Sequence, residues 1–172
     1  AYRSAPEEVI TFLTRLIDLR DEKGQHVIPP YELLDKFSDC WDEHLDVVFL
    51  NKLRVLDLSD DGFGAILARL LARNVPEAIV YATSLVVPLP SDDEGRNRAI
   101  YATQHLVIHA DNTSWWSSIW PIIQKEPDFG RAVVERVACS HDERRSAAIG
   151  ARLPENDLAD FYLWLVEQYP FE

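Results

Sequence analysis

Apolar residues recur along this chain at the spacing of one helix face. Val9, Phe12, Leu13, Leu16 and Ile17 fall at i, i+3, i+4, i+7 and i+8. Phe63, Ile66, Leu67, Leu70 and Leu71 repeat that spacing, and so do Leu158, Phe161, Tyr162, Leu165 and Val166. Each such stripe predicts a helix that buries one side against a neighbour. The full pattern predicts helices near 5–20, 30–37, 39–57, 60–73, 76–87, 92–110, 114–126, 128–139, 141–151 and 154–169. Connections are short apart from 21–29. The run 78–87 is rich in β-branched residues, but prolines flank it and it reads better as a buried helix.

Polar punctuation supports these starts. Ser4–Glu7, Ser91–Glu94 and Ser140–Glu143 have the spacing of capping boxes, in which serine accepts an orphan backbone N–H and glutamate reaches back. Pro76 and Pro154 stand where a first helical residue would, a position whose N–H is unpaired anyway. Many short helices joined tightly predict an all-α fold of stacked antiparallel helix pairs, right-handed and HEAT-like, a fragment of an α-solenoid. The whole span 1–172 is expected to form a single repeat domain.

The stretch 115–137 is the most distinctive. It holds Trp115, Trp116, Trp120, Pro121 and a Phe129-Gly130 step. Trp116, Ile119, Trp120 and Ile123 share a face, over which Phe129 and Val133 are expected to close. Pro121 is expected to end or kink its helix at Trp120. Trp115 lies about 100° from Trp116 on a helical wheel and so is expected nearer the surface. The last helix also carries Leu163 and Trp164 around its main stripe, as suits a helix apolar on more than one side. Exposed tryptophan favours interfaces, which makes Trp115 and Trp164 the candidate interaction surface.

Composition narrows the function classes. Hydrophobic residues make up 47% and charged residues 27%, an ordinary globular balance rather than a disordered one. No run is long and apolar enough for a membrane span, and the start lacks the pattern of a signal peptide. The net charge of −12 is spread evenly, with 9 basic and 15 acidic groups in the first 86 residues and 8 and 14 in the rest. Nucleic acid and anionic membranes are therefore unfavourable partners, since both need clustered Lys and Arg. Arg144, Arg145 and Arg152 form the one local basic cluster, which Asp142 and Glu143 can balance. Cys40 and Cys139 fit neither a disulfide framework nor a zinc pattern and are expected as free core thiols of a cytoplasmic protein. Methionine is absent, even at position 1, and the chain is accordingly expected to be a segment of a longer protein.

Candidate chemistry is sparse. The run 57–62 (DLSDDG) resembles the start of an EF-hand loop, but Gly64 and Ala68 occupy positions 8 and 12, where an aliphatic residue and a bidentate glutamate belong. Ser59 as a helix N-cap, followed by Asp60 and Asp61, accounts for the same residues. His105 and His109 are four apart with Asp111 beyond them; two such histidines can ligate a metal, but a third ligand is not evident. Phosphate-binding and nucleophile-elbow motifs do not occur. No catalytic, cofactor or metal residue is assigned, and the chain is expected not to be an enzyme.

The segments 116–133 (W-x-x-I-W-P-x-I-x-x-x-P-x-F-G-x-x-V) and 153–170 (L-P-E-x-x-L-A-D-x-Y-x-W-L-V-x-Q-Y-P) resemble the helical-repeat region downstream of the NTPase domain in large bacterial NACHT-type proteins, members of the STAND class of signalling ATPases. The resemblance spans roughly 96–170. It implies a HEAT-like sensor or scaffold array whose ATP-binding residues lie outside this chain, with protein partners or other domains of the same polypeptide. The contrasting reading is a small cytosolic helical enzyme with a site between helix pairs. Converging titratable groups in a pocket would favour the enzyme; a groove or an exposed apolar patch would favour the module.

Overall fold

The computed structural model describes residues 6–55, 58–138 and 153–169. Among them the regular structure is helical, nine α-helices and one 3₁₀ turn, with a lone bridge between Arg20 and His26. No helix among these residues is long and apolar enough to cross a membrane. Contacts gather the chain into two compact units that divide between Val75 and Pro76.

The first unit holds α1 (Pro6–Leu16), α2 (Pro30–Asp35), a 3₁₀ turn (Ser38–Cys40), α3 (Glu43–Val55) and α4 (Asp60–Ala72). Helix α4 is its centre and packs on α2 and α3. All five residues of its predicted stripe are buried, as expected of a helix with neighbours on several sides. Ser59 is its N-cap, accepting the Gly62 N–H at 3.1 Å. The Asp18 carboxylate accepts in turn from the Ser59 hydroxyl and, at 3.2 Å, from the Ser59 N–H. Helix α4 ends on Asn74 at φ 56°, where the Asn74 and Val75 N–H groups reach back to the carbonyls of Leu71 and Leu70. Asparagine tolerates this left-handed conformation better than most residues, and the paired bonds satisfy the last carbonyls.

Three expectations shift in this unit. Helix α1 stops at Leu16 instead of running to 20, and its buried residues are Ile10 and Leu13, with Ile17 buried just past its end, while Phe12 is exposed. The helix expected over 39–57 starts at Glu43, because the Asp42 carboxylate accepts the Leu45 N–H at 3.0 Å and caps it there. Cys40 is half-buried rather than in the core, its thiol donating to the Phe37 carbonyl at 3.3 Å.

The second unit holds α5 (Pro76–Ser84), α6 (Asp93–His109), α7 (Trp116–Lys125), α8 (Pro127–Ala138) and α9 (Glu155–Gln168). Helix α6 packs on α5 and α8, and α7 on α8. Pro76 is the first residue of α5, as its missing N–H predicts, while Pro154 sits one place earlier than expected, as the N-cap of α9. The start of α6 is capped by Asp92, which accepts the Gly95 N–H at 2.7 Å, rather than by Ser91. Helix α7 continues through Pro121 to Lys125. Both Pro121 and Ser117, whose carbonyl the proline leaves without its helical donor, are exposed, so water can take the place of that donor. The capping boxes at Ser4 and Ser140, the helix expected over 141–151, Cys139 and the Arg144, Arg145, Arg152 cluster lie outside the described residues, as does Asp57.

Candidate interaction surface

The face of Trp116, Ile119, Trp120 and Ile123 forms the inner side of α7. Trp116, Ile119 and Ile123 are buried, and Phe129, Val133 and Val137 of α8 are buried opposite. Trp116 and Trp120 stack at 5.2 Å between ring centroids, and Phe161 of α9 meets both edge-on. Such ring pairs add to simple area burial.

The two tryptophans expected at the surface are inside. Trp115 is 3% exposed and Trp164 6%. Trp115 occupies the cap position just before α7 with helical φ and ψ, so it does point away from the Trp116 face, and α5 covers it there. It meets Trp116 edge-on at 5.6 Å and lines a groove with Ile79 and Thr83 of α5. Trp164 lies over Gly130, where an added Cβ would come within 2.5 Å of the indole ring. Its ring also meets those of Trp120, Phe161 and Tyr169. The glycine of the Phe-Gly step thus admits the tryptophan of α9.

With Trp164 turned inward, other residues of α9 face out. Tyr162, Leu163 and Val166 are 51%, 64% and 52% exposed. Tyr162 and Val166 line a groove of about 510 Å³ between α8 and α9 with Val134, Leu165, Arg131, Glu135 and Tyr169, while Leu163 lies outside it. Arg131 pairs with Glu135 at 2.9 Å and lies over the Tyr169 ring. Burial pushes the Tyr169 phenol above its ordinary pKa, keeping it a neutral donor, and it reaches the Pro127 carbonyl at 3.3 Å. A second, smaller cavity of about 130 Å³ lies among α6, α7, α8 and α9, with Trp116, Ile123, Val133 and Phe161 in its wall. Among the described residues its lining is aliphatic and aromatic, with Tyr162 the one ionisable side chain there.

The remaining polar clusters have structural accounts. His105 and His109 stack at 5.6 Å near the end of α6, His105 buried. No group of three or more His, Cys, Asp or Glu disposed to hold a metal occurs among the described residues. In the first unit the buried Asp46 carboxylate accepts from Trp41 Nε1 at 2.7 Å, Arg73 Nε at 2.8 Å and Arg73 Nη2 at 3.1 Å. The hydrogen bond to Asp46 raises the Arg73 pKa above its ordinary value. Trp41 stacks on Phe49 at 5.0 Å, and Arg69 lies over its ring. This network fastens the start of α3 to the end of α4, and it leaves the carboxylate engaged on both oxygens.

No protein-family model matches the chain, and neither a curated protein nor a solved structure matches it.

Proposed function

We propose that this chain is a non-catalytic protein-interaction or scaffold module, a HEAT-like stack of helix pairs within a larger cytoplasmic bacterial signalling NTPase of the NACHT type. The observation that carries the interaction reading is the outward strip of Tyr162, Leu163 and Val166 beside the α8–α9 groove. Adjacent exposed apolar side chains on an otherwise strongly charged chain favour a partner surface. The packing of α3 on α4, α5 on α6 and α7 on α8 supports the stacked-pair reading, since successive helices are neighbours in such arrays. The parent family rests on the sequence resemblance over 96–170. The small apolar cavity lends the enzyme reading little, because acid–base or nucleophilic chemistry needs converging ionisable groups.

Photo-crosslinking tests this reading. A benzophenone side chain at position 163 is expected to capture one discrete protein partner or another domain of the same polypeptide in cells. The same group at the exposed Glu77 should not. Equal labelling from the two positions would contradict an interaction face on α9.

A further inference from the structure

We infer that the cavity among α6, α7, α8 and α9 binds a neutral, ring-sized organic molecule that carries one hydrogen-bond acceptor, such as a cyclic ketone. The inference is independent of the interaction-module reading. Trp116, Ile123, Val133, Val137 and Leu153 give the cavity a buried floor. Val134, Tyr162 and Leu165 are partly exposed and also line the α8–α9 groove, so the groove leads to the cavity. The volume of about 130 Å³ is close to the roughly 150 Å³ of an apolar protein cavity that takes up benzene. Close-packed interiors seldom leave such a space, since its lining forfeits contacts that an occupant would restore.

The wall selects the chemistry. None of the described residues that line it is charged. An ion would lose its hydration there and meet no counter-charge, which excludes carboxylates and ammonium groups. Of these residues, Trp116 and Tyr162 alone carry a side-chain polar atom. A buried water makes about three hydrogen bonds, so this wall suits an organic occupant better than a cluster of waters. Trp116 supplies the directional contact. It is 3% exposed, and its Nε1–H is buried with no acceptor among the described residues. Buried donors in native proteins are nearly always paired, and a buried indole N–H usually finds an acceptor. Trp115 and Trp164 also hold unpaired N–H groups, but neither lines this cavity. A ligand carbonyl that accepts from Trp116 Nε1 would satisfy this donor while its ring fills the apolar remainder.

The test uses the full chain and two probes of one shape, cyclohexanone and methylenecyclohexane, which differ in having or lacking the acceptor. Binding is followed by nuclear magnetic resonance of the isotope-labelled indole N–H groups. Both probes are expected to bind the native chain. Trp116→Phe keeps an aromatic ring and removes the donor, so it should weaken cyclohexanone about fivefold and leave methylenecyclohexane nearly unchanged. The Trp116 N–H signal should move further downfield with cyclohexanone than with the hydrocarbon. Val134→Phe enlarges a partly exposed side chain at the mouth and should weaken both probes roughly tenfold. Circular dichroism checks that each variant folds; should Trp116→Phe not fold, the native indole signal, assigned by Overhauser contacts, and Val134→Phe decide. Equal weakening of the two probes by Trp116→Phe, or a Trp116 signal that cyclohexanone leaves in place, overturns the proposal. So does the absence of binding by either probe up to its solubility limit, or binding that Val134→Phe does not change.

Discussion

Gly130 shows how much can depend on one missing methyl group. In the interior of α8, glycine costs about 1 kcal/mol relative to alanine. Here a Cβ would lie 2.5 Å from Trp164 Cη2 and 3.0 Å from Ile123 Cγ2, against a ring locked among three others. Overpacking of that kind costs about 1–3 kcal/mol, so Gly130→Ala is expected to destabilise the chain in urea denaturation; a gain in stability would show that Trp164 does not sit there. The tryptophans can be ranked likewise. Trp115 is buried and Trp120 only half-buried, so Trp115→Ala should approach the roughly 3–5 kcal/mol cost of a fully buried tryptophan and exceed that of Trp120→Ala. The reverse order would restore Trp115 to the surface. Asp46→Ala removes the acceptor of three hydrogen bonds and is expected to cost about 3 kcal/mol; a loss under about 1 kcal/mol in the same assay would mean that the network is loosely held. The sequence showed the four-residue spacing of Trp116 and Trp120 and hence their shared face. It did not show Asp46 reaching Arg73, because that contact joins two helices and follows no local spacing.

At the level of elements, most helices were legible because stripe and punctuation coincide. Ser59 followed by two aspartates, and Pro76 at a first turn, fix their helix starts by local chemistry alone. Ends and subdivisions were less legible. Asp42 divides 39–57 by capping α3, yet Cys40, Trp41 and Leu45 continue an apolar pattern across the break. Ser91 and Asp92 are adjacent capping residues, and only the folded backbone chooses Asp92. Pro121 gives a test at this scale. It interrupts the hydrogen bonding of α7 and its ring faces solvent, so little packing offsets the roughly 3 kcal/mol penalty of an interior proline relative to alanine. Pro121→Ala is expected to raise the thermal midpoint. A lowered midpoint would mean that α7 needs the bend a proline imposes.

For the whole molecule, the all-helical class follows from periodicity, while the surface of α9 does not. Leu158, Phe161, Tyr162, Leu163, Trp164, Leu165 and Val166 ring that helix with apolar side chains, and no pattern within it says which sides neighbours will cover. Gly130 decides it by admitting Trp164, which leaves Tyr162, Leu163 and Val166 outward. The division at Asn74 and Pro76 was hidden for a related reason: a left-handed cap followed by a helix-starting proline reads the same inside a compact unit as between two. The interaction face on α9 is tested most directly by photo-crosslinking in cells with a benzophenone side chain placed in turn at positions 162, 163 and 166 and at the exposed position 77. Capture of one discrete partner from the three α9 positions, and none from position 77, is the expected result. Equal capture from position 77 and from α9, or none from α9, would contradict an interaction face there.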